Sequence, residues 1–219
     1  MALAVNSPGG APVQAALIAG RIRALSEEKE IPVYAFCEDV AASGGYWLAC
    51  AAEEIYAHPA SIVGSIGVIS AGFGFPGLLE KVGVERRVHT SGDKKGMLDP
   101  FQPEKPEDIE RLRDIQEDIH EQFRDYVRVR RGDRLNGTDD VLFSGEFWTG
   151  RRARELGLVD GLGDLRTVMR EKFGDKVDLK LVGGPRRFGL MRLFGSRGDL
   201  AADAIGAIDE RLHWSRYGL

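Results

Sequence analysis

At 219 residues the chain has room for one domain with a buried core and is too short for two of ordinary size. With 43% hydrophobic and 29% charged residues it reads as a folded soluble protein. Its net charge of -4 excludes a dedicated nucleic-acid binder, which needs a basic face to neutralise phosphates.

The apolar run Met1 to Val5 reads as a buried strand that ends in the turn Asn6-Ser7-Pro8-Gly9-Gly10. Pro12 opens a helix whose apolar face is Val13, Leu17, Ile18, Ile22 and Leu25, closed before Pro32. Val33 to Cys37 is a second strand, and the small apolar residues from Ala41 to Ala52 suit a helix packed closely on a sheet. Ile55 to Ala57 is a third strand, and Ile62 to Ile69 a fourth extended piece interrupted by glycines. Strands alternating with helices predict an α/β protein with a largely parallel sheet. After the glycine-rich stretch 70–77, Leu78 to Val82 forms a short helix and Val84 to Thr90 a strand that delivers Ser91-Gly92-Asp93-Lys94-Lys95. Ile109, Leu112, Ile115, Ile119, Phe123 and Tyr126 mark a long helix from Pro106 to Arg131, and Phe147 to Leu156 a further helix ended by Gly157. Beyond Gly183, arginines alternate with Phe188, Leu190, Met191, Leu193 and Phe194. No run reaches the roughly 18 to 20 apolar residues of a membrane span, and the opening residues lack a secretory leader pattern.

Two cysteines, Cys37 and Cys50, sit in apolar company without metal-ligand spacing, so they read as buried thiols, and no metal or cofactor is expected. Ser43 follows a strand, precedes Gly44 and Gly45, and opens a helix. That placement presents a hydroxyl beside backbone N–H groups suited to an oxyanion, though a serine there also serves as an ordinary helix cap. Ala41, in the run of alanines before it where that motif has glycine, rules out the G-x-S-x-G elbow. Of the four histidines, His58, His120 and His213 are poorly placed as its base, and only His89 near Ser91 stays a candidate. A lysine can replace histidine once its surroundings bring its pKa from roughly 10.4 toward 7 or 8, and Lys94 and Lys95 lie in a loop that could reach inward.

In order, Asn6-Ser-Pro-Gly-Gly10, Asp39-Val-Ala-Ala-Ser43-Gly-Gly-Tyr46, Gly64-Ser-Ile-Gly-Val68 and Ser91-Gly-Asp-Lys-Lys95 resemble the signal peptide peptidase A family, the Ser-Lys peptidases of family S49. The resemblance covers residues 1–182, leaving 183–219 as a tail for oligomer or membrane-surface contact. It implies a single domain of stacked βαβ units of the ClpP/crotonase type, with the family's N-terminal portion missing before Asn6. It also implies Ser43 as nucleophile, Lys95 as base, Ser65 as the residue supporting that lysine, and an oxyanion hole from Gly9, Gly10 and Gly44. Ile66, Val68, Phe73 and Phe75 flank these positions and are the candidate substrate pocket. The function implied is a serine endopeptidase that cleaves hydrophobic peptides such as released signal peptides. The resemblance further points to a ring-shaped homo-oligomer associated with a bacterial membrane, any anchor lying upstream of residue 1. Two rivals share the fold: a crotonase-like acyl-CoA enzyme, which needs acids near the oxyanion hole, and a non-catalytic, membrane-associated oligomeric scaffold.

Overall fold

A long central strand, β2 (Tyr34–Ala42), organises the computed structural model, which describes residues 1–182, 211 and 214–218. Its first half is held between β1 (Ala2–Ser7) and β3 (Glu54–Ala57), both parallel to it. Its second half pairs in parallel with β4 (Ile62–Gly64), so the sheet forks along one strand. The strand outruns the stretch expected from its apolar residues because Glu38 and Asp39 face solvent at an irregularity in the β1 pairing and Val40 to Ala42 then turn back into the core. Asn6 bridges that irregularity, its amide donating to Asp39 Oδ2 (3.1 Å) and its oxygen accepting the Val40 N–H (3.1 Å).

Around this sheet lie α1 (Pro12–Lys29), α2 (Gly44–Ala49), α3 (Leu78–Lys81) and α4 (Pro106–Arg131). They are followed by α5 (Asp139–Leu142), α6 (Gly150–Glu155) and α7 (Leu165–Phe173). The α/β expectation and most boundaries hold, with three corrections. The expected helix from Phe147 is divided: β5 (Phe147–Thr149) pairs antiparallel with β4, and α6 starts only at Gly150, where a Cβ would stand 2.1 Å from the His58 carbonyl oxygen. Residues 84–90 form no strand, because among the described residues no strand lies beside them to satisfy their backbone groups. Extended pairing after Ile62 stops at Gly64, since Gly64 (φ 111°) and Ser65 (φ 52°) take left-handed backbone. A last short strand, β6 (Gly161–Leu162), closes the sheet beside β3.

The core joins the sheet to α2 and α4: Trp47 stacks on Phe123 (4.6 Å) and Tyr126 (5.3 Å), and the Tyr46 hydroxyl donates to the Leu158 carbonyl (2.7 Å). Burial pushes the Cys37 thiol up to about 12 and Cys50 to about 11, so both remain protonated thiols. α1 turns Ala15 and Ala19 inward and leaves Val13, Leu17 and Ile18 in solvent, so of the apolar face expected for it only Ile22, packed on the core, and the half-buried Leu25 turn inward. The expected tail contact, from Phe188 to Phe194, lies outside the described residues, as does His213. No helix among the described residues is long and apolar enough to cross a membrane.

Candidate active site

Ser43 is the hinge between β2 and α2, and its backbone (φ 51°, ψ -121°) is one that L-residues rarely adopt, at a cost of about 1–3 kcal/mol. Two hydrogen bonds impose it: the Ser43 N–H donates to the Gly64 carbonyl (2.8 Å), and its carbonyl accepts the Trp47 N–H (3.0 Å). The side chain makes no capping bond to α2, so the ordinary reason for a serine at a helix start is absent and Oγ faces the cleft.

The glycines around it are placed by contact. A Cβ on Gly45 would lie 2.6 Å from the Ser7 carbonyl oxygen, which brings α2 directly against β1. One on Gly44 would lie 3.3 Å from the Gly10 nitrogen, and one on Gly9 3.0 Å from the Ser43 Cβ. The Ser-Pro-Gly-Gly turn therefore runs immediately past the serine. Gly9 spends its N–H on Ser7 Oγ (3.3 Å), whereas the Gly10 N–H has no partner among the described residues and Gly44, first in its helix, has none within it.

Ser43, Ser65, Gly9, Gly10 and Val68 line one cleft of about 480 Å³. Ser65 is buried and held by its N–H on the Glu146 carbonyl (2.7 Å). The other expected positions lie elsewhere. Ile66 is fully buried in the core, because the left-handed turn at Ser65 reverses which side of the chain faces the cleft. Phe73 packs on Phe75 (6.4 Å) and Phe75 on Phe101 (6.1 Å), outside the cleft lining. Lys95 is exposed in a turn closed by its N–H on the Gly92 carbonyl (3.1 Å) and does not line the cleft. Its segment is tied to α4 where the Leu98 N–H meets Asp108 Oδ2 (3.3 Å). His89 is exposed and likewise outside.

Two lining residues with ionisable side chains had no place in the sequence-based site. His120 projects from α4 with Nε2 3.0 Å from the Ile66 carbonyl oxygen, and Arg216 enters from the C-terminal end. His120 could have been found: it stands next to Ile119 and three residues before Phe123, at the border of the helix's buried face. No periodicity or motif marks Arg216. No group of three or more potential metal-ligating side chains occurs among the described residues.

A family profile described as Peptidase family S49 matches residues 26–179. A Brucella abortus protein named Na(+)/H(+) antiporter NhaA is 53% identical over 100% of this chain and 31% of its own length. The chloroplastic serine protease SPPA of Arabidopsis thaliana is 36% identical over 74% of this chain and 24% of its own. The chain thus spans a third or less of these two curated relatives. Among solved structures, a 1510-N membrane-bound stomatin-specific protease superposes with a TM-score of 0.43 at 17% identity, covering 78% of this chain and 68% of that one.

Proposed function

Because the chain belongs to peptidase family S49, we propose that it is a serine endopeptidase in which Ser43 is the nucleophile and Lys95 its general base, acting on hydrophobic peptides such as released signal peptides. The observation that carries this reading is the strained Ser43 backbone, uncapped and set against the Gly10 and Gly44 N–H groups. In this mechanism a neutral Lys95 amine takes the Oγ proton as Oγ attacks the scissile carbonyl, and the Gly10 and Gly44 N–H groups receive the oxyanion. The resulting ammonium returns the proton to the leaving amine, and water, deprotonated by the same amine, then hydrolyses the acyl ester. The reading requires residues 91–98 to bring Lys95 to Ser43 with Ser65 as its support. The apolar cleft residues Pro8, Pro12, Val68 and Ile69 support a hydrophobic substrate.

The crotonase alternative needs an acid beside the oxyanion hole, and no carboxylate is among the described lining residues. We further propose a homo-oligomer at a membrane surface. The membrane placement is supported by the Brucella relative with the antiporter name, which holds a segment similar to this whole chain within a much longer polypeptide.

The test is the loss of peptide hydrolysis on substitution. Ser43→Ala and Lys95→Ala each lower kcat by roughly a hundredfold or more, while Lys94→Ala leaves it within about twofold. Near-normal turnover by Lys95→Ala would overturn the assignment of the base, and turnover by Ser43→Ala that of the nucleophile. A fluorophosphonate probe labels Ser43 in the parent protein and not in Ser43→Ala.

A further inference from the structure

The cleft around Ser43 has an uneven charge that the hydrolytic chemistry does not require. Its described lining holds Arg216 and His120 and not one carboxylate. Among the described residues Arg216 has no ion-pair partner; its guanidinium lies only over the neighbouring Tyr217 ring, with Cζ 5.9 Å from the centroid. An arginine on a loose terminus would say little, but this one is anchored by the residue after it. Tyr217 is buried against Val40 and Ala42, its ring meets Phe147 edge-on (5.1 Å), and its hydroxyl donates to the Pro8 carbonyl (3.3 Å) in the same Ser-Pro-Gly-Gly turn that runs past the nucleophile. The Tyr217 N–H closes the turn on the Trp214 carbonyl (2.9 Å). His120 spends Nε2 on the Ile66 carbonyl oxygen (3.0 Å), which leaves Nδ1 without a described partner.

A concave site whose described lining holds a guanidinium and no carboxylate carries positive potential, and a guanidinium fork matches a carboxylate in two parallel hydrogen bonds. We propose that Arg216 is a specificity-determining residue: a peptide laid across Ser43 gains affinity by presenting a carboxylate to its guanidinium, from an acidic side chain or from a free C-terminus. This goes beyond a preference for apolar residues, which Val68, Ile69 and Pro12 satisfy along the same cleft. It rests on the peptidase reading only in taking Ser43 as the reacting centre.

Binding to full-length Ser43→Ala protein tests the proposal without turnover. Fluorescent apolar peptides are compared in matched pairs, glutamate against glutamine at each position, and free C-terminal acid against amide. In low salt at least one carboxylate form binds about fivefold more tightly than its neutral partner, and the pair that shows it identifies the source. The ratio shrinks as salt is raised, falls to near one when Arg216→Gln is added, and inverts with Arg216→Glu. Equal affinities in both pairs, a preference that survives Arg216→Gln, or no peptide binding at all would overturn it. Hydrolysis by the parent protein without any carboxylate preference defeats this inference alone. A carboxylate preference in a protein that hydrolyses no peptide defeats the peptidase reading alone.

Discussion

Arg131 and Ser43 show what single residues contribute, one to stability and one at its expense. Arg131 is almost fully buried, a position a guanidinium holds only when paired; it donates to Asp160 Oδ2 (2.7 Å) and Oδ1 (3.1 Å) and to the Gly157 carbonyl (3.0 and 2.8 Å). Burial pushes the Asp160 carboxyl up, yet the Arg131 hydrogen bonds and charge outweigh it and hold the group below the ordinary aspartate range. A depressed folded-state pKa gives stability that is present above the unfolded value and lost as pH falls through the folded one, so this pair weakens only in acid, below about pH 4. Asp160→Asn, which leaves Arg131 buried and unpaired, lowers unfolding stability at neutral pH by about 3 kcal/mol in urea titrations and flattens the acid limb. Ser43 carries the opposite balance. Glycine relieves its left-handed backbone, a gain that outweighs the roughly 0.5–1 kcal/mol glycine loses to unfolded-chain entropy. Ser43→Gly is therefore more stable than Ser43→Ala by about 1 kcal/mol in the same titrations, and both are inactive. The glycines beside Ser43 were legible in the sequence because close approach admits few residue types, and Ser43 stood out by its place between a strand and Gly44-Gly45. Arg216 was not, since a cation that reaches a cleft from the far end of the chain leaves no local pattern.

At the scale of elements, the site depends on α2 lying directly on β1. With a Cβ on Gly45 only 2.6 Å from the Ser7 carbonyl oxygen, Gly45→Ala must lift the helix or twist the strand. Either movement shifts Ser43 against the Gly10 N–H. The expected cost is about 2 kcal/mol of stability together with a large fall in kcat, read by denaturant titration and peptide turnover. The same dependence on contact explains which elements could be read from sequence. α4 was legible to its ends because a 26-residue amphipathic pattern outweighs any local ambiguity. β5 was not, since three residues, Phe147 to Thr149, become a strand only because β4 offers them an edge, with Trp148 against Gly64. Residues 84–90 show the converse. Val84, Val88 and Thr90 would share one face of an extended chain with Arg86 between the valines, and without an edge to join these residues stay irregular and exposed.

For the whole molecule, the sign of α1 is the informative feature. The first turns of the helix give the sheet and α2 their small side chains, Ala15 and Ala19, with the Ala15 Cβ 3.5 Å from where a Gly44 Cβ would stand, and this close approach positions the turn beside Ser43. The consequence is that Val13 (66% exposed), Leu17 (63%) and Ile18 (48%) face water on one stripe, near the cleft wall formed by Pro12. Phe73 (80% exposed) and Val82 (61%) add apolar surface on the 70–83 segment. A monomer rarely leaves that much clustered apolar surface uncovered, and a cleft open to solvent gains walls when copies associate. Light scattering at micromolar concentration is therefore expected to show a homo-oligomer. Leu17→Glu places a charge in the stripe without touching the buried alanine face, so it shifts the protein toward monomer while unfolding stability measured on the monomer changes by less than about 1 kcal/mol. A parent protein that runs as a monomer, or a Leu17→Glu variant that assembles as fully as the parent, would show that the stripe is not the contact. The expected tail contact separates from this one by replacing Phe188, Leu190 and Phe194 with serine, which spares the packing of Tyr217 on Val40 and Ala42: if the tail holds the copies together, the replacement lowers the assembly state even with Leu17 intact.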